Sequence, residues 1–164
     1  MGIVASVREG RAGRRTASMD SQVHSSIIGQ GLHLELKTQI SSTQLPQCNL
    51  HLLYSLPSSF ILDVFQLTDL IQEHRLTNDS SQVQLMRVDE VDPELPFEQA
   101  DRTPALAWFN LGQLDRPVTV TLPLHLRTHL PKEPGQRMRN ISLHGPLLIQ
   151  ACDPPREGLL PRHR

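Results

Sequence analysis

The sequence predicts a mainly β protein, an antiparallel β-sandwich with one short helix and disordered tails. Three observations point there. Apolar and polar residues alternate over several short runs, the two-residue period of half-buried strands. Thirteen prolines in 164 residues exclude long unbroken helices. Aromatics supply only 4% of the chain against 38% hydrophobic residues, so the core is aliphatic. The length suits one domain. Sixteen basic residues nearly cancel seventeen acidic ones, leaving a net charge of -1, which excludes a dedicated nucleic-acid binder. No run approaches the ~18 apolar residues of a membrane-spanning helix.

Taken in order, residues 1–21 read as disordered: Arg8, Arg11, Arg14 and Arg15 stand against Glu9, and no apolar period is visible. Gly2 and Ser6 fit the M-G-x-x-x-[ST] pattern of N-myristoylation, and the Ile3 to Val7 run is too short for the apolar centre of a signal peptide. The folded part is expected over 22–153. Leu32, Leu34, Leu36 and Ile40 alternate with His33, Glu35, Lys37 and Gln39, which makes a strand. Cys48, Leu50, Leu52, Tyr54 and Leu56 repeat the pattern between Pro46 and Pro57. Asp63 is the expected N-cap of a helix of one or two turns, with Leu67, Leu70 and Ile71 on one face.

Val83 to Val88 and Ala105 to Leu111 are weaker strands, separated by an acidic, proline-punctuated stretch from Asp89 to Pro96. Val118, Val120, Leu122, Leu124 and Leu126 give the clearest alternation in the chain. Ile141 with Leu143, and Leu147 to Cys152, follow around a Gly145-Pro146 turn. Residues 154–164, rich in Pro and Arg, read as a disordered tail.

Strong catalytic signals are absent. His125 and His129 form H-x3-H, but four residues of extended chain separate their Cα atoms by roughly 13 Å, too far for one metal ion without a bend. Their expected place is the polar face of a sheet, with Arg127, where they meet a partner; Pro123 and Pro131 bracket them and suggest an edge strand or one leaving its sheet. The cluster Asp89, Glu90, Asp92 and Glu94 reads as a solvated turn. An enzyme would have to use Asp92 and Glu94 as metal ligands with His125 as general base. No catalytic residue, cofactor or metal site is assigned. Cys48 and Cys152 either form one bridge or remain as two free, buried thiols; strand parity turns Cys48 inward with Leu50 and Leu52, toward the last strand if the two come within reach. Asn78-Asp79-Ser80 and Asn140-Ile141-Ser142 are N-glycosylation sequons, usable only in the secretory pathway.

The order of these features is more specific than any one of them. Cys48 to Pro57, Ile61 to Leu67, Val91 to Pro96, the P-x-H-x-R-x-H-x-P run from Pro123 to Pro131, then Pro146 and Cys152, together resemble the luminal domain of the PIG-X family, from about Gly31 to Cys152. That family is the accessory subunit of glycosylphosphatidylinositol (GPI) mannosyltransferase I in the endoplasmic reticulum. The resemblance implies a non-catalytic subunit that binds and stabilises the catalytic one, which adds the first mannose from dolichyl-phosphate-mannose.

It further implies a luminal location on the endoplasmic reticulum membrane, through a signal and a transmembrane helix of a full-length form. A Cys48–Cys152 bridge, favoured by the oxidising lumen, and glycans at Asn78 and Asn140 belong to that setting. The partner surface it suggests comprises His125, Arg127 and His129, with Asp63, Phe65 and Leu67. Where the family usually has D-P-Y, this chain has Asp63-Val64-Phe65, and Thr128 follows Arg127 in place of tyrosine. The alternative is a cytosolic β-sandwich adaptor or binding module with free thiols, myristoylated at Gly2.

Overall fold

The computed structural model describes residues 2–8, 22–41, 48–78, 83–89, 92–100, 103–128 and 138–152. In chain order these form β1 (Gly2–Arg8), β2 (Gln22–Gln30), β3 (His33–Ser41), β4 (Cys48–Leu56), β5 (Phe60–Ile61) and helix α1 (Val64–Gln72). They continue with β6 (Gln84–Val88), β7 (Ala105–Gly112), β8 (Val118–Leu126), β9 (Met138–His144) and β10 (Leu147–Cys152). Two four-stranded sheets, ordered β2-β3-β8-β5 and β10-β4-β7-β6, are antiparallel throughout. The chain is therefore mainly β, two antiparallel sheets with one short helix.

Parity builds the core. Leu34, Leu36 and Ile40 of β3 and Val118, Val120, Leu122, Leu124 and Leu126 of β8 are buried in one sheet. Leu50, Leu52, Tyr54 and Leu56 of β4 and Ala107, Phe109 and Leu111 of β7 join them from the other in a single apolar cluster. Tyr54 and Phe109 meet edge to face, ring centroids 5.9 Å apart. One polar chain crosses this core. The Tyr54 hydroxyl donates to Thr38 Oγ1 at 2.9 Å, and the Thr38 and Ser25 hydroxyls lie 3.0 Å apart. A buried hydroxyl without a partner is costly, so the three residues satisfy one another across both sheets. Burial pushes the Tyr54 phenol well above its ordinary titration range, with the Thr38 bond opposing.

Cys48, 2% exposed beside Leu50, pairs directly with Cys152 of β10, and the two form a disulfide. The bridge settles the question of thiols: neither cysteine is free, which removes a premise of the cytosolic alternative.

Three sequence expectations need correction. Residues 2–8 are not without structure: β1 pairs in parallel with β9, from Gly2 opposite Met138 to Arg8 opposite His144. Its Ile3, Val4 and Val7 are β-branched, and a backbone ladder needs no alternation. The remainder of the expected N-terminal tail, 9–21, and the tail 154–164 lie outside the described residues. Second, β2 carries too few apolar residues to show a period, and only Ser25 is buried in it. It is held by its ladder to β3 through a two-residue turn, Gly31-Leu32, with Gly31 at φ +72°. Third, β8 is no edge strand, since β3 flanks it on one side and β5 on the other.

Pro123 is tolerated there because the edge beyond β8 is interrupted. Thr121 N donates to Leu76 O and Thr119 N to Asn78 Oδ1, while His125 and Leu126 face β5. By the same alternation a donor at position 123 would point between these two contacts. A proline there forfeits no ladder bond.

Candidate functional site

The helix start fixes the first group of side chains. Asp63 Oδ1 accepts from Phe65 N at 2.9 Å and Gln66 N at 3.1 Å, the bonds of an N-cap. Phe65 then points outward, 85% exposed, while Leu67 turns into the core at 0%. Gln66 reaches across to β8, where its Oε1 lies 3.1 Å from His125 Nε2, so the tautomer protonated there donates to it. The cross-strand neighbour of His125 is His33 on β3, whose ring meets it edge-on with centroids 4.8 Å apart. Partial burial lowers the His125 pKa, the charge of His33 lowers it further, and Asp63 opposes both. This corner therefore presents a bare phenyl ring beside two imidazoles in edge-on contact, of which His125 is biased toward neutrality. Such a surface can bind an apolar group and exchange hydrogen bonds at its rim.

Arg127, one residue beyond β8, lies elsewhere. Parity predicts the polar face, but the guanidinium is covered and the residue is 4% exposed. Its NH1 donates to the carbonyls of Asp92 and Leu95 at 2.5 and 2.7 Å, its backbone N–H donates to Ser59 O, and Phe97 N donates to Thr128 O. These bonds fasten the 92–97 segment across the end of the sandwich. Burial lowers the Arg127 pKa, with the charge of Asp92 opposing. Asp89 stands nearby, its Oδ2 accepting from Leu106 N and its Oδ1 from Arg87 Nε. The backbone bond first and Arg87 second hold its carboxyl below the usual carboxylate range.

Of the six residues expected on a partner surface, Asp63, Phe65 and His125 come together. Leu67 and Arg127 are corrections: the first is a core residue because it falls on the inner face of α1, and the second is a strut. His129 lies outside the described residues. Asp92 Oδ1 accepts from Glu94 N within its own turn, whereas His125 is engaged on the α1 side. Among the described residues no three His, Cys, Asp or Glu side chains are placed to hold a metal ion. None of the described helices is long and apolar enough to cross a membrane.

The sequons differ in setting. Asn140 and Ser142 share the exposed parity of β9, with Ile141 buried between them. Asn78 is also exposed, its Oδ1 accepting from Thr119 N at 2.8 Å. Asp79 and Ser80 lie outside the described residues.

Sequence reasoning missed an apolar row on the outer face of the second sheet. Leu147 of β10 lies opposite Leu53 of β4, which lies opposite Trp108 of β7. Ile149 pairs with His51, whose Nδ1 accepts from Trp108 Nε1 at 3.2 Å. Leu147, Ile149, Met86 and Trp108 are all exposed. The signal was present: once Ala107, Phe109 and Leu111 are read as inward, parity turns the only tryptophan outward.

A search of curated proteins returned no match, and a search of solved structures returned none. A profile of the family described as PIG-X / PBN1 matches residues 29–162, which takes in β3 to β10, both cysteines and all the groups above except β1 and most of β2. The chain belongs to the PIG-X / PBN1 family, whose place is an accessory one at the mannosyltransferase of GPI-anchor biosynthesis in the endoplasmic reticulum.

Proposed function

We propose that this chain is a non-catalytic subunit that binds and stabilises the catalytic subunit of GPI mannosyltransferase I, and so supports transfer of the first mannose to the anchor precursor. The observation that carries this reading is the extent of the family match, which covers the sandwich from β3 to β10 with both bridged cysteines. Its domain is residues 22–153 and its location the luminal side of the endoplasmic reticulum membrane, held there in a full-length form by a transmembrane helix. The Cys48–Cys152 bridge supports an oxidising compartment, and in that compartment Asn78 and Asn140 become glycan acceptors. The contact surface is the corner formed by Asp63, Phe65 and His125. A phenyl ring 85% exposed on a capped, rigid helix start is available to bury in a partner at no cost in refolding.

Co-expression tests the reading. Removing the chain is expected to lower the steady-state level of the catalytic subunit and of anchored proteins at the cell surface. No dependence of either on this chain would refute the accessory role. Phe65→Asp is expected to reduce co-purification. If it leaves the complex intact while Trp108→Asp dissolves it, the contact lies on the other sheet and the corner is wrong.

A further inference from the structure

Beside Phe65 the corner holds two imidazoles on adjoining strands. His33 of β3 and His125 of β8 are cross-strand partners whose rings meet edge-on, centroids 4.8 Å apart. At that separation a proton on either ring opposes a proton on the other. His33 is exposed next to exposed Gln30, its partner across the β2–β3 turn, while His125 is half-buried against Gln66 of α1.

Few other charges face the pair. Asp63, the N-cap of α1, favours a proton on His125, and its Oδ1 is engaged by the two N–H groups of the cap. Gln66 is neutral, and its Oε1 accepts from Nε2 whether the ring is the neutral tautomer protonated there or the cation, so this bond is indifferent to a second proton. On β5 the residue opposite His125 is Ile61. Glu35, the next outward residue of β3, lies opposite Pro123 and 3.8 Å from Lys37. Asp69 is exposed one turn beyond Gln66 on α1. Burial first and His33 second hold the His125 pKa below the ordinary 6.5, against Asp63.

A partner that packs on Phe65 also covers this pair, because Gln66, the next residue of α1, is bonded to His125. Covering removes water from the rings. A neutral imidazole loses little by it, whereas an imidazolium must shed its proton or be buried as a cation, and either costs free energy unless a carboxylate stands opposite.

We propose that the Phe65 corner is a proton-sensitive contact, in which the His33–His125 pair lets an uncharged, apolar partner surface bind near neutral pH and releases it on acidification. This inference rests on the accessory function and the contact surface proposed above, and adds to them the chemistry of the opposing surface and the sign of its pH dependence. A ring whose pKa falls on binding gives up a proton to the solvent, so affinity is complete above the free-state pKa and declines as pH falls through it. For His125 that decline lies below 6.5.

The test measures retention of the catalytic subunit by the full chain at about pH 7.5 and about pH 5.5. The wild-type chain is expected to bind about three- to tenfold more weakly at the acid pH, and the double variant His33→Gln, His125→Gln to bind with the same affinity at both. Equal wild-type binding at the two values, or an acid loss that the double variant shares, would overturn the proposal and leave the accessory role intact. Tighter binding in acid would also overturn it, since a carboxylate would then face the pair. If the wild-type chain retains no catalytic subunit even near neutrality, the accessory role fails and this inference with it.

A second arm needs no partner. In proton NMR titration of the free chain, His33→Gln is expected to raise the midpoint of His125, because the opposing charge is gone. An unchanged midpoint would show that the two rings do not sense one another, and the pair from which the proton sensitivity is derived would be lost.

Discussion

Removing the Cys48–Cys152 bridge separates two accounts of what it does. The cysteines are 104 residues apart, and closing a loop of that size removes conformational entropy from the unfolded chain worth about 4.7 kcal/mol in the chain-entropy treatment. The rival account is local. Leu147, Ile149, Ala151 and Cys152 of β10 are exposed, so the strand contributes little burial of its own, and cutting the bridge would merely let it fray from β4.

Cys152→Ser is the informative substitution, because Cys152 is exposed and the change removes no core packing. The entropic account predicts a loss of about 3–5 kcal/mol, a large part of a total stability of roughly 5–15 kcal/mol, and a fall in Tm of roughly 10–15 °C. Urea titration of the oxidised protein and the variant measures it, with hydrogen exchange at Leu148 and Gln150 as a local reporter. A loss under about 1.5 kcal/mol, with rapid exchange confined to β10, would refute the entropic reasoning and leave the bridge as a staple on an edge strand.

Leu67→Ala is expected to cost about 2–5 kcal/mol in chemical denaturation, because it empties a fully buried site, whereas Phe65→Ala should leave stability within about 0.5 kcal/mol and act only on partner binding. At His74, which closes α1 with φ 54° while Arg75 N bonds Leu70 O, His74→Gly relieves a conformation that glycine adopts freely and should raise stability by about 0.5–1 kcal/mol in thermal melts. The Ala at Gly29→Ala, by contrast, would place its Cβ 2.9 Å from His33 O at φ +110°, so the variant should unfold at lower temperature.

For pH the sign follows from His125. Its folded pKa lies below the ordinary 6.5, so the unfolded chain binds the proton more readily and folding stability contributed by this group is complete above that value. It declines as pH falls through 6.5 toward the folded pKa, and His125→Gln should flatten this acid limb in melts recorded across it.

Much of the sandwich is legible in the sequence because its central strands are buried on one face only. Every second residue of β3, β4 and β8 answers to the core, and the pattern survives even where Thr38 replaces an aliphatic residue, since Tyr54 and Ser25 satisfy its hydroxyl. The Asp63 cap is legible for a local reason: its bonds to Phe65 and Gln66 involve no other part of the chain. β1 and β2 are not legible, because β1 is recognised by its ladder to β9 and β2, with Ser25 its one buried residue, by its ladder to β3, and pairing partners are set by topology.

Arg127 fails for a different reason. Its position in the alternation is right for solvent, but the 92–97 segment, distant in sequence, covers it and gives its NH1 two carbonyls. The helical spacing that groups Leu67 with Leu70 and Ile71 is correct, and that same spacing excludes Leu67 from a partner surface. His33 was visible as a polar-parity residue, yet only the β3–β8 register brings it against His125.

The interruption beside β8 connects these features. β5 pairs Phe60 with Leu126 and Ile61 with His125, and sixteen residues after Ile61 the chain returns to the same side of β8, in the same direction, where Thr77 bridges Val120. A continuous edge strand would cover the four positions of β8 between those contacts with about four residues of its own. The excess is taken up by α1. The helix is therefore an insertion in an edge strand, and it has two effects at once. Opposite Pro123 it removes the ladder that proline could not complete, so proline becomes acceptable inside the sheet. At its start it lifts Phe65 clear of the barrier of paired strands while Asp63 and Gln66 fix its orientation, the latter through His125. The proline that would ordinarily argue against an interior strand and the phenylalanine that would ordinarily be buried thus have one structural cause, a strand broken by a helix.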